Sequence, residues 1–286
     1  MSTESQPLRA FYWMMGAVVS FAAMAVAGRE ISAEMNTFEL MLYRSVIGFA
    51  IIVVIILRSN AGFSQIKTSR IDQHTIRNVV HFISQNMWFY GIATIELSQM
   101  VALEFTNPIW VALLAPFLLG EKMTRTKILV AVLGFIGVMV AARPGSQPLE
   151  WGHAAGLGAA IGFAINTIMT RKIMRVDTVL CVLFWMTLMQ AVFALALALP
   201  GGIPWPSTQL WPWLIVVSIG GLTAHYCLTS ALGLAPASVV APMDFVRLPI
   251  VAILGMLLYA EPILWSIFIG GGIIIAANIL NLRSKP

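Results

Sequence analysis

Long apolar runs, separated by short polar stretches, follow one another along almost the whole chain. A run of about 20 mainly apolar residues is long enough to cross the hydrocarbon core of a bilayer as a helix. Ten such runs occur, near residues 9–27, 37–57, 72–93, 98–119, 124–141, 152–171, 178–199, 210–231, 237–258 and 262–281. The pattern predicts an all-α membrane protein with ten transmembrane helices and no attached soluble domain.

Composition supports this interpretation, and the placement of charge adds an orientation. Apolar residues make up 59% of the chain and charged residues only 10%, whereas a soluble domain carries about 25% charged residues. The basic residues lie mainly in loops between the apolar runs, so the high pI gives no reason to expect a nucleic-acid partner. If the N-terminus is cytoplasmic, the outer loops hold only Arg29 and Arg143. This bias predicts that both termini are cytoplasmic.

The chain also repeats itself at an offset of about 140 residues. The offset pairs Gly16 with Gly156, Ser98 with Ser238, Glu104 with Asp244, Asn107 with Arg247 and Glu121 with Glu261. Each copy holds five predicted helices, an odd number, so the second copy would be inserted upside down. We therefore divide the chain into a first repeat, 1–142, and an inverted second repeat, 143–286. An inverted repeat indicates alternating-access transport with a site at the repeat interface.

Several short motifs carry a family resemblance. They are Phe38-Glu39 with Tyr43-Arg44, Asn107-Pro108 with Leu119-Gly120-Glu121, and Ala241-Pro242 with Arg247 and Glu261. At these spacings the chain resembles the EamA-type transporters of the drug/metabolite transporter superfamily. The resemblance implies a multi-pass protein of the cell inner membrane, with a pathway lined mainly by the third, fourth, eighth and ninth helices. It also implies a vitamin-like or cofactor-like substrate, such as riboflavin or S-adenosylmethionine.

Ionisable residues within the apolar runs are candidates for the pathway, because each costs about 2.5–3.5 kcal/mol on insertion scales. Glu104 and Asp244 hold equivalent repeat positions, and Asn107 and Arg247 follow three residues later on the same helix faces. These four residues predict a polar stripe along the pathway, with either acid a possible proton carrier. The alternative is that Asp244 and Arg247 neutralise each other and hold helices together.

The third helix places Arg77, His81, Gln85 and Trp88 on one face, which must therefore contact protein or water. His81 could relay protons or be a satisfied interior histidine. Trp88 could stack on a planar substrate or serve only in packing. Arg77 could extend to the cytoplasmic interface.

Arg44, in the second helix, could bind a substrate carboxylate or phosphate. It could equally pair with Glu39 or Glu104 as a structural contact. Three arginines against two acids within the predicted helices favour a substrate with an anionic group. We interpret four isolated polar residues as structural hydrogen-bonding groups: His225, Tyr226, Asn166 and Gln190. We interpret two acids, Glu121 and Glu261, as N-terminal caps of helices.

Several kinds of chemistry leave no trace in the sequence. There is no P-loop pattern, no GxSxG elbow, and no His, Cys and carboxylate spacing typical of a metal site. We therefore expect no cofactor, no bound metal and no enzymatic activity. The prediction is a secondary transporter for a small polar metabolite, working as a monomer or homodimer in the lipid bilayer. The alternatives are an exporter of amino acids or drug-like metabolites and a membrane-embedded lipid-modifying enzyme.

Overall fold

The structure is a computed structural model that describes residues 6–120, 124–143, 150–262 and 265–283. Within these ranges the regular elements are helices, and no β-strand occurs. The α-helices in chain order are α1 Pro7–Ile31, α2 Thr37–Arg58, α3 Ile71–Thr94, α4 Leu97–Glu104, α5 Asn107–Leu119, α6 Arg125–Ala142, α7 Trp151–Ile173, α8 Val179–Ala198, α9 Trp211–Leu234, α10 Ala237–Val240, α11 Arg247–Tyr259 and α12 Trp265–Arg283. Three 3₁₀-helices join them, at Gly62–Ile66, Leu199–Gly201 and Ala241–Val246.

Six helical segments in the described ranges are long and apolar enough to cross a membrane, or up to seven if a bent pair counts as one span. They include α1, α2, α7, α8, α9 and the continuous stretch Ala237–Tyr259, while the bent pair is Leu97–Leu119. Polar residues keep α3 out of this set, and α6 offers a shorter apolar stretch, Ile128–Val140. The multi-pass helical architecture is confirmed, and the ten-helix layout stays a prediction.

The predicted fourth helix is broken. α4 ends at Glu104, α5 begins at Asn107, and the stretch Leu97–Leu119 bends by 44° farther along, at Ala112. Pro116 lies four residues after the bend and lacks the N–H that would bond to the Ala112 carbonyl. A proline inside a helix removes this bond and crowds the same carbonyl, which kinks the helix.

The predicted ninth helix changes conformation at the equivalent place. α10 gives way to the 3₁₀ segment Ala241–Val246, and α11 then continues to Tyr259. Pro242 lies in the first turn of the 3₁₀ segment. Both helices therefore leave α-helical geometry in their proline-containing stretches, next to the acids Glu104 and Asp244.

Hydrogen bonds between helix ends define two ends of the bundle. At the Gln6 end, the Gln6 backbone N–H donates to the Leu234 carbonyl over 3.0 Å. At the Tyr259 end, the Leu97 N–H donates to Glu261 Oε1 over 2.9 Å. The pair α4–α5 therefore starts at the Tyr259 end, whereas the segment from α10 to α11 starts at the Gln6 end. The two broken helices run in opposite directions.

The polar face of α3 is buried in the bundle. Arg77, His81, Gln85 and Trp88 are at most 1% exposed, whereas Ile76 and Ile83 on the opposite face are more than half exposed. The expectation that this face contacts protein is confirmed. α7 packs closely against it, because a Cβ at Gly162 would overlap the Ser84 hydroxyl. Small residues allow such close helix approach in membrane proteins.

Candidate functional site

A central cavity lies between the two halves of the chain. α1, α3, α4 and α5 line it from the first half, and α7, α9, the 3₁₀ segment and α11 line it from the second. The cavity brings together most of the residues predicted from sequence: Gln85, Trp88, Glu104, Asn107, Asp244 and Arg247. The other two predicted site residues, Arg44 and His81, do not border it.

A charged triad forms one wall of the cavity. Arg247 Nη2 donates to Glu104 Oε1 over 2.5 Å and to Asp244 Oδ2 over 2.6 Å. Trp88 Nε1 donates to the other Glu104 oxygen over 2.7 Å. The guanidinium also lies over the Phe105 ring, with 5.3 Å between its central carbon and the ring centroid. With all three groups ionised, the triad carries one net negative charge, and Arg247 links α11 to α4.

Residues related by the 140-residue offset meet at this cavity. Besides the two acids, Gln85 and His225 are such a pair, and both line the cavity. Phe105 and Phe245 are another pair, and their rings contact each other edge to face with centroids 5.3 Å apart. The cavity therefore lies where equivalent positions of the two halves come together.

Several polar atoms around the cavity have no hydrogen-bond partner among the described residues. They are Gln85 Nε2, Asn166 Oδ1, both ring nitrogens of His225, Asp244 Oδ1, and Arg247 Nε and Nη1. The set contains donors and acceptors, so it can bind a ligand that offers both kinds of group. Four of the nine apolar lining residues that the structure describes are aromatic: Phe21, Trp88, Phe105 and Phe163. The cavity therefore suits a ring with polar edges.

Arg44 has a different environment from the one predicted. It is buried in α2, where Nη1 donates to Gln190 Oε1 over 3.3 Å. In the described part of the chain, no carboxylate lies within ion-pair distance of it. Of the two alternatives for Arg44, the pairing with Glu39 or Glu104 is therefore wrong. Glu39 instead closes a capping box at the start of α2, where its Oε2 accepts the Asn36 N–H over 2.9 Å.

His81 lies one layer behind the cavity. Its Nδ1 is hydrogen-bonded to the Gln190 side-chain amide, and its ring is 4.7 Å from that of His225, centroid to centroid. His225 is the histidine that borders the cavity, with both ring nitrogens unpaired within the described ranges. The interpretation of His225 as a structural hydrogen-bonding residue missed this position, although its alignment with Gln85 in the repeat could have revealed it.

Arg77 is also internal and does not extend to the interface. It is 1% exposed and donates to Thr170 Oγ1 over 2.7 Å and to Asn78 Oδ1 over 2.8 Å. Because Arg77 and Arg44 both lie outside the central cavity, the count of three arginines against two acids does not describe it. The cavity lining has two acids and one arginine, so the arginine count no longer supports an anionic substrate.

Glu261 contacts a helix other than the one that follows it. Its Oε1 accepts the Leu97 N–H at the start of α4 and a bond from Arg29 Nη1 over 2.5 Å. Arg29 also donates to the carbonyls of Ile92, over 2.9 Å, and Ile95. The expected cap therefore serves α4, and Arg29 joins α1 to the α3–α4 turn at the Tyr259 end. The equivalent Glu121 lies outside the described residues.

One set of side chains near the Gln6 end has ligand atoms close enough for a metal. His74, Asp177 and Cys181 place such atoms within 4.8 Å of one another. His74 Nε2 lies 2.9 Å from Asp177 Oδ2, which also accepts the Thr68 hydroxyl over 2.7 Å. These hydrogen bonds already explain the cluster as a link between α3, α8 and the loops beside them.

Apolar helices of membrane-spanning length around an internal charged cavity define a multi-pass membrane protein with the architecture of a small-molecule transporter. The family model described as "EamA-like transporter family" matches residues 8–143 and again 150–283. The chain therefore belongs to the EamA-like transporter family. This confirms the resemblance seen in the sequence.

Curated relatives have the same class of function. The riboflavin transporter of Brucella anthropi is 26% identical over 94% of this chain and 97% of its own length. The S-adenosylmethionine uptake transporter of Rickettsia felis is 26% identical over 96% of this chain and 92% of its own length. The riboflavin transporter of Vibrio cholerae is also 26% identical, over 96% and 93%. The chain is accordingly a metabolite transporter, and the lipid-modifying enzyme is set aside.

A solved crystal structure has the same fold. It superposes with a TM-score of 0.75 at 18% identity and covers 96% of this chain and 99% of its own chain. At this identity the similarity concerns the fold alone.

Proposed function

We propose that the chain crosses the inner membrane ten times, as two inverted repeats, 1–142 and 143–286, with both termini in the cytoplasm. α3, α6 and α12 would complete the set of spans. The opposite directions of α4–α5 and α10–α11 support the inversion. The basic residues support the orientation, because Arg58 at the end of α2, and Lys67 and Arg175 in loops, lie at the Gln6 end.

The aromatic residues support the position of one membrane boundary. Trp151, Trp205 and Trp265 are about 80% exposed, and each lies at or before the start of a helix at the Tyr259 end. Tryptophan is enriched where membrane hydrocarbon meets water. This row of tryptophans is consistent with an outer interface at the Tyr259 end.

The central cavity would be the substrate site of a secondary transporter that works by alternating access. Inverted-repeat transporters bind their substrates between the repeats, next to broken helices. Here the two broken helices contribute the charged triad, and both halves line the cavity. The Arg29–Glu261 contact would then close the Tyr259 end, and its release would open that end. Glu104 or Asp244 would carry a coupling proton if transport is proton-linked, with His81 as a second candidate behind the cavity.

The substrate would be a cofactor-like metabolite with a planar nitrogen heterocycle. A single observation carries this proposal: the cavity combines aromatic rings with unpaired donors and acceptors that line the same space. The named substrates of two kinds of relative, riboflavin and S-adenosylmethionine, both contain such a ring.

Charge favours a neutral or cationic member of this class. With all three groups ionised, the triad leaves one net negative charge in the cavity, so an anionic ligand would meet repulsion while losing its hydration. Riboflavin is uncharged, and S-adenosylmethionine carries a sulfonium. Both are compatible with the triad.

The test is ligand binding to the detergent-purified protein, measured by riboflavin fluorescence quenching and by calorimetry with S-adenosylmethionine. We expect saturable binding of one of them, weakened about tenfold or more by Asp244→Asn or Trp88→Phe, which corresponds to about 1.4 kcal/mol. Asp72→Asn, at an exposed position of α3, is the matched control and should bind as the wild type does.

Two outcomes would refute the proposal. If the folded wild type binds neither compound, the substrate class is wrong. If binding is found but survives both cavity substitutions unchanged, the ligand binds elsewhere. Uptake into proteoliposomes without ATP, driven by an imposed ion gradient or by internal substrate, then tests secondary transport directly.

A further inference from the structure

A second, smaller cavity of about 220 Å³ lies between α2, α8 and α9. Its polar lining residues are all buried: Arg44, Ser45, Thr187, Gln190 and Ser218. None of them borders the central cavity. The bundle therefore contains a polar site, here named the Arg44 cavity, that is separate from the one described above.

The polar groups of the Arg44 cavity that have no hydrogen-bond partner can both donate a hydrogen bond. Arg44 Nε and the Ser45 hydroxyl have no hydrogen-bond partner within the described ranges. The Thr187 and Ser218 hydroxyls already donate to backbone carbonyls one turn earlier in their own helices. The Gln190 side-chain oxygen accepts a bond from Arg44 itself. A guanidinium N–H and a hydroxyl that both lack acceptors are the groups that bind an anion.

The charge around this cavity is positive and uncompensated. The third buried arginine, Arg247, has two carboxylates, but Arg44 has none within ion-pair distance among the described residues. Arg77 likewise has none there, and its Nη2 lies 3.9 Å from the sulfur of Met186, which lines the Arg44 cavity. A buried charge without a partner is strongly disfavoured. Two such charges next to one cavity would be stabilised by a negative ion in it.

We propose that the Arg44 cavity binds one small inorganic anion, such as chloride, between Arg44 Nε and the Ser45 hydroxyl. The Arg44 cavity is much smaller than the central cavity, so the largest occupant it could take is a single small ion or one water-sized group. Gly221 of α9 packs against the Arg44 guanidinium, because a Cβ at this position would lie 2.6 Å from Arg44 Nε. Any larger residue would displace the guanidinium.

The experiment is thermal unfolding of the detergent-purified protein, followed by the fluorescence of its nine tryptophans. Chloride, bromide and gluconate are compared at equal ionic strength with the same cation. The unfolding midpoint rises saturably with chloride or bromide but not with gluconate, which is too large for the cavity. Ser45→Ala weakens the chloride affinity about tenfold, and Arg44→Gln abolishes the effect. Arg58→Gln, at the exposed end of the same helix, leaves it unchanged.

Equal wild-type stability in chloride and gluconate would overturn the proposal, as would a chloride effect that survives Arg44→Gln and Ser45→Ala. If Arg44→Gln does not fold, Gly221→Ala takes its place, since it keeps the charge but moves the guanidinium; an unchanged chloride affinity in that variant would count against the site. Crystals grown in bromide should give an anomalous peak beside Arg44, and a peak only elsewhere would refute the location.

The same titration shows whether the Arg44 cavity binds a free inorganic ion or the carboxylate of a substrate. With saturating S-adenosylmethionine, chloride should stabilise the protein by the same further amount. Competition between the two would overturn the proposal and assign the cavity to the substrate. The chloride titration itself uses no substrate. Its result therefore stands even if the protein binds neither riboflavin nor S-adenosylmethionine.

Discussion

Removal of the Arg247 guanidinium tests how much the charged triad stabilises the fold. Arg247 is fully buried, 2.5 Å from Glu104 and 2.6 Å from Asp244. Two unit charges about 4 Å apart attract by about 4 kcal/mol at an effective dielectric constant of about 20, so two pairs give about 8 kcal/mol. Repulsion between the two carboxylates and desolvation of the guanidinium offset part of this, and breaking buried pairs costs about 3–5 kcal/mol. We expect Arg247→Gln to lower the unfolding free energy by about that amount.

The assay is equilibrium unfolding in mixed micelles, followed by circular dichroism. Adding Glu104→Gln and Asp244→Asn to Arg247→Gln should recover most of the loss, because no buried charge is then left without a partner. Lowering the pH should narrow the gap between Arg247→Gln and the wild type, since a protonated carboxyl group no longer needs a counter-charge. Arg247→Lys, which keeps the charge, is the matched control and should lose less. The reasoning would be refuted if Arg247→Gln alone were as stable as the wild type, or if the triple variant were no more stable than Arg247→Gln alone.

Two further predictions concern the helix contacts. Arg29→Gln removes the link at the Tyr259 end. We introduce Thr167→Cys in the cavity, with both native cysteines replaced by serine, and expect it to react several-fold faster with a water-soluble maleimide when Arg29→Gln is also present. An unchanged labelling rate would contradict the closing role of the Arg29–Glu261 contact. Gly162→Ala should destabilise the fold by about 1–3 kcal/mol, because its Cβ would overlap the Ser84 hydroxyl, and thermal unfolding measures the loss. Gly271→Ala, where no described atom lies within 4 Å of the new Cβ, is the control, and equal losses in both variants would contradict the packing argument.

The burial of the α3 polar face could be predicted from sequence because it depends on one helix alone. Polar side chains at helical spacing share a face, and in a membrane that face must avoid lipid. The candidates around the triad could also be found, since Glu104 and Asp244 are acids at equivalent positions of a repeat. Both predictions need only spacing within a helix or along the chain.

The partners of individual charges could not be predicted in this way. Arg44 contacts Gln190, 146 residues away, and not the nearer Glu39. Glu261 caps α4, although it directly precedes the last helix. These contacts depend on how the two halves dock, which spacing along one helix does not specify. The number of basic groups in the helices likewise says nothing about which of two cavities each one faces.

The arrangement of one guanidinium between two carboxylates also has a consequence for how a ligand interacts with the helices. A positively charged group that enters the cavity can pair with the unbonded Asp244 Oδ1, but at Glu104 it must compete with Arg247 and Trp88, which already bond to both carboxylate oxygens. If it binds Glu104 in place of Arg247, it breaks the Arg247–Glu104 ion pair, which links α11 to α4. The Arg247–Glu104 contact that joins the two halves would then be present when the site is empty and absent when the ligand is bound. A neutral ligand would leave that tie in place and would have to loosen it by other means.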